Sequence, residues 1–295
     1  MKQIKIDYKD YELDNETAKQ LRKADMCQQE IAKRRPFEGE MLKTIRDFYK
    51  IDTTWSSSAL EGNSYTISET KVMLEDGITV GGKPLKHTLE ICGHGEAYDY
   101  MFSLLHQDGI TIDDMRRMHQ YLMQKEIGRK AGEYKEVENL ITGSEYSTVE
   151  VARVEQEMKK LDQWMAQNKN KMHPVWFAAE VHRKLVYIHP FSDGNGRTAR
   201  LAMNGILIQN GYLPCVISPV IRLDYIQALE AGRTGKLNEF VRFIAEAETE
   251  TEKDFIRGMH MDMPDFSKAN QMDEQKMSLA QKDMLQEMKG MNLEQ

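Results

Sequence analysis

The sequence predicts an all-α bundle with one short β-hairpin. Three observations predict it. Apolar residues recur at helical spacing along almost the whole chain. Start and stop signals punctuate that spacing. Only one stretch alternates in the manner of strands. The 295 residues, 40% hydrophobic and 29% charged, suit a soluble domain long enough to bury its own core.

The first helix begins near residue 15 and ends before Pro36, with Leu21, Met26 and Ile31 as its apolar positions. A second, over about 38–49, places Leu42, Ile45 and Tyr49 on one face. Thr66 and Glu69 have capping-box spacing and open a third, which Gly77 ends. After a loop at 81–84, helical spacing resumes over 87–105 with Leu89, Ala97, Met101 and Leu104, and Thr111 opens the next, with Met115, His119 and Leu122 turned inward. The period then changes: 137–141 and 148–151 flank Thr-Gly-Ser-Glu-Tyr-Ser, which predicts a hairpin. Helices resume over about 150–167, 174–187, 196–210, 223–231 and 237–257. Beyond Pro264 the chain is polar and Met-rich, and Met284, Met288 and Met291 fall on one helical face.

A formal net charge of -7 argues against a general nucleic-acid binder, whose footprint is basic. Cys27, Cys92 and Cys215 lie too far apart for a metal knuckle and are odd in number; they read as small buried apolar residues in a reducing compartment. No apolar run approaches the length of a membrane span or of a signal peptide. The expectation is a cytoplasmic protein with no membrane contact.

The chemistry gathers at residues 189–200, His-Pro-Phe-Ser-Asp-Gly-Asn-Gly-Arg-Thr-Ala-Arg, between an apolar helix carrying Val175, Phe177, Val181 and Leu185 and another carrying Leu201, Ile206 and Leu207. Gly194 and Gly196 permit a backbone that turns successive N–H groups into an anion nest. The helix that starts there adds free amides and the positive end of its dipole. Asn195 can donate a side-chain hydrogen bond to the same anion. Arg197 and Arg200 offer planar forks that match phosphate. Asp193 supplies a hard oxygen for Mg²⁺, which takes one or two carboxylates and fills its shell with phosphate oxygens and water. His189 is a base candidate near neutral pH. Cradle, metal ligand and base together form the kit for phosphoryl or nucleotidyl transfer.

This segment resembles the signature of the Fic domain family, H-P-F-x-[D/E]-G-N-G-R-x-x-R, with every specified position matched. The resemblance covers about 51–246. Gly132-Glu133-Tyr134 with the hairpin resembles the family's flap, Gly211-Tyr212-Leu213-Pro214 the segment after its motif helix, and Leu229-Glu230-Ala231 its later helices. Ser57-Ser58-Ala59-Leu60-Glu61-Gly62 resembles the family's inhibitory motif, [S/T]-x-x-x-E-[G/N]. The chain then divides into a helical extension (1–50), a Fic domain (51–258) with an inhibitory helix at about 55–62 and a flap at about 137–151, and a Met-rich tail (259–295).

The resemblance implies a Fic-type bundle that transfers AMP from ATP to a hydroxyl of a target protein, including itself. It implies His189 as the catalytic base and Asp193 as the Mg²⁺ ligand. Gly194, Asn195 and Gly196 form the anion hole, Arg197 meets the β-phosphate and Arg200 the γ-phosphate. Tyr225 lines the adenine pocket, and the flap clamps the target by strand addition. Glu61 pairs with Arg200 and so displaces or misaligns ATP; in some relatives this glutamate also assists removal of AMP. The family often has an asparagine shortly after the Leu-Glu-Ala stretch, where Gly232-Arg233-Thr234 stands here. The target is not named by the sequence, and a homodimer is left open. Two alternatives stand beside this reading: a nucleotide-binding regulator, and a Fic-fold transferase of another phosphate-linked group. The intact His189 and Asp193 weigh against the first, and the two motif glycines against the second. Taken singly, His94, His119 and His182 default to structural roles, and Tyr225 to the core.

Overall fold

The computed structural model describes residues 6–270 apart from 10, 127, 129 and 140–145. Among these, the regular structure is helical: α1 (Asn15–Ala32), α2 (Gly39–Ala59), α3 (Ile67–Asp76), α4 (Leu85–Ser103), α5 (Ile112–Met123), α6 (Val151–Asn168), α7 (Pro174–Ile188), α8 (Asn195–Gln209), α9 (Arg222–Arg233) and α10 (Leu237–Gly258). Short 3-10 turns, Pro219–Ile221 and Phe266–Asn270, complete it.

Local chemistry explains where these helices begin. Asp14 caps α1 by accepting from the Thr17 amide at 2.7 Å. Thr66–Glu69 and Thr111–Asp114 close capping boxes on α3 and α5. Gly77 ends α3 in the left-handed region, and Pro174 sits in the first turn of α7, where its missing N–H costs nothing.

The centre of the bundle is α7, on which every residue after Pro174 is buried. It packs against α6, α8 and α10, while α1 lies along α10 and α4 joins α2, α5 and α8. One core cluster joins residues from all of these. Cys27 and Cys215 are buried in it, Cys92 is half-buried, and all three are free. No helix among the described residues is long and apolar enough to cross a membrane.

Two features differ from the sequence expectation. First, α2 runs ten residues past Tyr49. Its second half carries no apolar stripe; instead Thr53, Thr54, Ser56, Ser57 and Ser58 are buried. Thr53 Oγ1 donates to the Tyr49 carbonyl at 2.6 Å and Ser56 Oγ to that of Thr53, while Thr54 Oγ1 pairs with His94 Nδ1 at 3.0 Å and Ser57 Oγ accepts from Arg200 Nε at 2.9 Å. Second, no strand forms among the described residues of the expected hairpin; Tyr146 is an isolated bridge residue. The flank before it is spent on the motif loop instead: the Lys135 amide donates to the Pro190 carbonyl at 2.8 Å and Asn139 Nδ2 to that of Phe191 at 3.0 Å. The turn at 140–145 lies outside the described residues, as does the Met-rich face beyond 270.

Candidate active site

The site forms where α7 hands over to α8. His189 caps α7 in the left-handed region, φ 53°, a conformation disfavoured for a side chain this size and held here by its surroundings. Five residues later Gly194, φ 73°, starts α8. A Cβ there would meet Met123 Sδ at 3.0 Å and the His119 ring at 3.3 Å. The loop between is pinned by Asn195, whose Oδ1 accepts from the Phe191 amide at 2.9 Å and whose Nδ2 donates to the Phe191 carbonyl at 2.8 Å. The Asn195 side chain thus pins the loop, with one of its two Nδ2 hydrogens spent on the Phe191 carbonyl. The backbone amides of Asn195, Gly196 and Arg197, in the first turn of α8, are the ones without an intrahelical acceptor.

His119, on α5, is a residue that sequence reasoning undervalues. Its ring stacks on Phe191 at 3.8 Å with 4° between planes. A carbonyl can only accept, so Nε2 donates to the Asp193 oxygen at 3.1 Å, which leaves Nδ1 to accept from the Gly132 amide at 2.9 Å. One neutral imidazole thus ties Gly132 to the motif loop, and burial pushes its pKa down to about 4. A lone histidine on an apolar helix face carries no signal of this in the sequence.

The same reasoning fixes the tautomer of His189. Its Nδ1 faces the Val186 carbonyl at 3.3 Å, so Nδ1 carries the hydrogen and Nε2 keeps its lone pair. Burial pushes the imidazole down to about 4, with the Lys135 and Arg233 cations acting in the same direction. The base form is the one present at neutral pH.

Asp193 is 33% exposed at the mouth of α8. Its Oδ1 accepts from the Gly194 amide at 2.7 Å and lies 3.4 Å from Arg197 Nη2. No group of three His, Cys, Asp or Glu residues that could hold a metal occurs among the described residues. An open carboxylate beside an anion nest fits Mg²⁺ bound mainly through a ligand's phosphates, not a cage of protein donors.

Arg200 is buried and fully engaged. Nε donates to Ser57 Oγ and Nη2 to the Ser57 carbonyl, both at 2.9 Å, and Nη1 to the Tyr225 hydroxyl at 3.3 Å. Nη2 also meets Glu61 Oε1 at 2.7 Å. Glu61 stands just past the end of α2 in a turn that Arg222 Nε secures through the Leu60 carbonyl at 2.6 Å. Burial alone would raise the Glu61 carboxyl, but Arg200 outweighs it and holds the pKa below the ordinary value. The carboxylate lies on the α8 N-terminus: a Cβ on Gly196 would fall 2.6 Å from Glu61 Oε1.

Tyr225 is 6% exposed and packs against Phe240 and Phe243. Since Arg200 can only donate, the tyrosine's own hydrogen goes to His182 Nε2 at 3.0 Å. Its hydroxyl therefore reaches the site through Arg200.

Among the described residues, fold and site define a helical protein built around a loop that presents free amides at the start of α8, with the Glu61 carboxylate lying on it. The Fic/DOC family profile matches residues 109–207. A protein adenylyltransferase Fic from Nematostella vectensis is 36% identical over 214 residues, which cover 72% of this chain and 49% of the relative. The chain spans about half the length of the curated relatives it matches. Among solved structures, Fic-1 from C. elegans superposes with a TM-score of 0.75 at 27% identity, covering 83% of this chain and 73% of that one. A Fic domain containing signaling protein from Bacteroides thetaiotaomicron superposes with 0.70 at 26% identity, covering 84% and 99%. The chain belongs to the Fic family.

Proposed function

We propose that the protein transfers AMP from ATP to a hydroxyl side chain of a target protein and is held in check by Glu61. The observation that carries this reading is the Glu61 carboxylate itself. It is an anion seated at Gly196 and bonded to a buried arginine, which is the position a phosphate would need. A site that accepts one anion through a helix N-terminus and an arginine fork is suited to another. Relatives named protein adenylyltransferase support AMP as the group moved.

In this reading neutral His189 accepts the proton of the target hydroxyl on Nε2 as the oxygen attacks the α-phosphorus. The α–β bridging bond breaks and pyrophosphate leaves. The first-turn amides of α8 receive the charge that develops on the phosphate oxygens. Arg197 and Arg200 hold the phosphates beyond the α, Arg200 only after Glu61 lets go, and Tyr225 serves the nucleotide by bracing Arg200. Asp193 would hold Mg²⁺, which would supply neutralisation of the triphosphate charge. We assign the reaction to the cytoplasm on the three free cysteines.

The test is transfer of label from α-labelled ATP onto a lysate of the host and onto the protein itself. Glu61→Gly raises incorporation on the order of 100-fold over the unaltered chain, the scale of a corrected misalignment. Label arriving from γ-labelled ATP would replace this reading with phosphate transfer. ATP binding with no transfer from either label would favour a nucleotide-binding regulator.

A further inference from the structure

We infer that Glu90, on α4, is a positioning residue for Arg197. It holds the guanidinium in the orientation that lets it meet the nucleotide's second phosphate. The inference rests on the nucleotide reading above but not on the transfer step.

Arg197 is 2% exposed, and a guanidinium out of water needs a counter-charge. Three carboxylates surround it. Asp193 stands 3.4 Å from Nη2 on the side of the motif loop. On the far side Glu90 Oε1 stands 3.5 Å and Glu126 Oε1 3.9 Å from Nη1. Glu126 is the more distant of these two carboxylates. No hydrogen bond of normal geometry reaches Nε or Nη1. The fork is therefore aimed by the field of the carboxylates behind it, and Glu90 is the nearer of the two.

Glu90 is itself fixed. Its Oε2 accepts from Asn63 Nδ2 at 2.8 Å, and the same nitrogen donates to the His87 carbonyl at 3.0 Å. Asn63 lies two residues beyond Glu61, and its amide closes the turn on the Ser58 carbonyl. The turn that delivers Glu61 to one arginine thus also secures the carboxylate behind the other. With Nη1 held from behind, Nη2 is the corner of the fork that faces Asp193 and the phosphates.

The experiment compares AMP, ADP and ATP binding by calorimetry, with Mg²⁺, in Glu61→Gly and in that variant carrying Glu90→Gln. Glutamine keeps the shape and can still accept from Asn63 while losing the charge. Removing one charge-assisted contact predicts about tenfold weaker ADP and ATP binding, with AMP binding unchanged, and a matching rise in KM for ATP wherever transfer is measured. Glu90→Asp recovers part of the loss. Should the glutamine variant fail to fold, the aspartate variant decides through the same ADP-to-AMP comparison. Equal weakening of AMP and ADP would mean a purely structural glutamate. Tighter ADP binding would mean that Glu90 competes with phosphate. Either result, or no change, overturns the inference. If Glu61→Gly transfers no label, the AMP-transfer reading fails while the binding comparison still decides Glu90.

Discussion

Arg200 is buried and multiply bonded, and Glu61, though 40% exposed, is held ionised by it. A pair whose acid lies below its ordinary pKa and whose base lies above stays charged throughout the physiological range. In the reading proposed above, relief of inhibition then comes from displacing the turn at 60–63, not from its titration. His189, the proposed base, behaves likewise. A solvated imidazole would lose its lone pair below about 6.5, whereas burial keeps His189 neutral down to about 4. For Glu61→Gly we therefore expect kcat/KM to hold level from pH 8 to about 5, with no inflection near 6.5. A bell with its acid limb at 6.5 in a label-transfer profile would remove His189 as the buried base. His189→Ala in the same background lowers transfer by about 10²–10⁴-fold, while ATP affinity measured by calorimetry stays as it was. A parallel loss of affinity would mean that the ring builds the pocket rather than taking a proton.

At the scale of elements, α7 must place its C-terminal residue accurately, and it does so from inside the core. It buries three charges to do this. Glu180 accepts from Arg183 at 2.8 and 2.6 Å, from Lys184 at 2.6 Å and from Tyr11 at 3.1 Å. Burial would raise its carboxyl, but the two cations win and take it down to about 2. Glu180→Gln leaves the volume but strands two cations, which costs about 3–5 kcal/mol. A urea titration should show a lower midpoint with an unchanged slope; a shift under about 1 kcal/mol would mean the cations find water. Elements with local signals are legible in the sequence: the capping box of α3, the start of α5 at Thr111, the apolar helices on either side of the motif, and the motif loop itself. The pairing of Glu61 with Arg200 is also legible, because two motifs of one family imply it. The second half of α2 is not, since its buried serines and threonines leave no apolar period. The side-chain role of Asn195 escapes a reading of the sequence because its partner, the Phe191 backbone, matters only once the loop is folded. His119, Glu90 and the Tyr225–His182 contact are hidden for a similar reason, as each acts on residues distant in the chain.

The molecule as a whole carries buried titratable groups of two opposed kinds. Burial takes His94 to about 3, His119 and His189 to about 4, and His182 well below its ordinary value. An unfolded chain takes up these protons near pH 6.5; the folded chain does not until about 4. Between those values the unfolded state binds more protons, so stability is lost as pH falls, by up to about 2 kcal/mol per histidine at pH 5. On α10, burial raises Glu248 and Glu252 well above 4.5, with Glu248 beside the Cys215 thiol and the Leu213 amide. Here the folded state keeps protons that the unfolded state has released, so stability falls as pH rises from 4.5 toward the raised value. The four histidines together cost about 8 kcal/mol at pH 5, comparable with the whole stability of a domain, so the acid limb is the steeper. Thermal melts should give a steep fall in Tm from about pH 6.5 toward pH 5 and a gentler alkaline limb as pH rises toward the raised value of the two carboxyls. Glu248→Gln should flatten the alkaline limb and leave the acid limb in place, whatever its effect on Tm at the maximum. An alkaline limb unchanged in that variant would mean that the carboxyl ionises inside the fold with a partner, and α10 would then hold a buried charge instead of a buried proton.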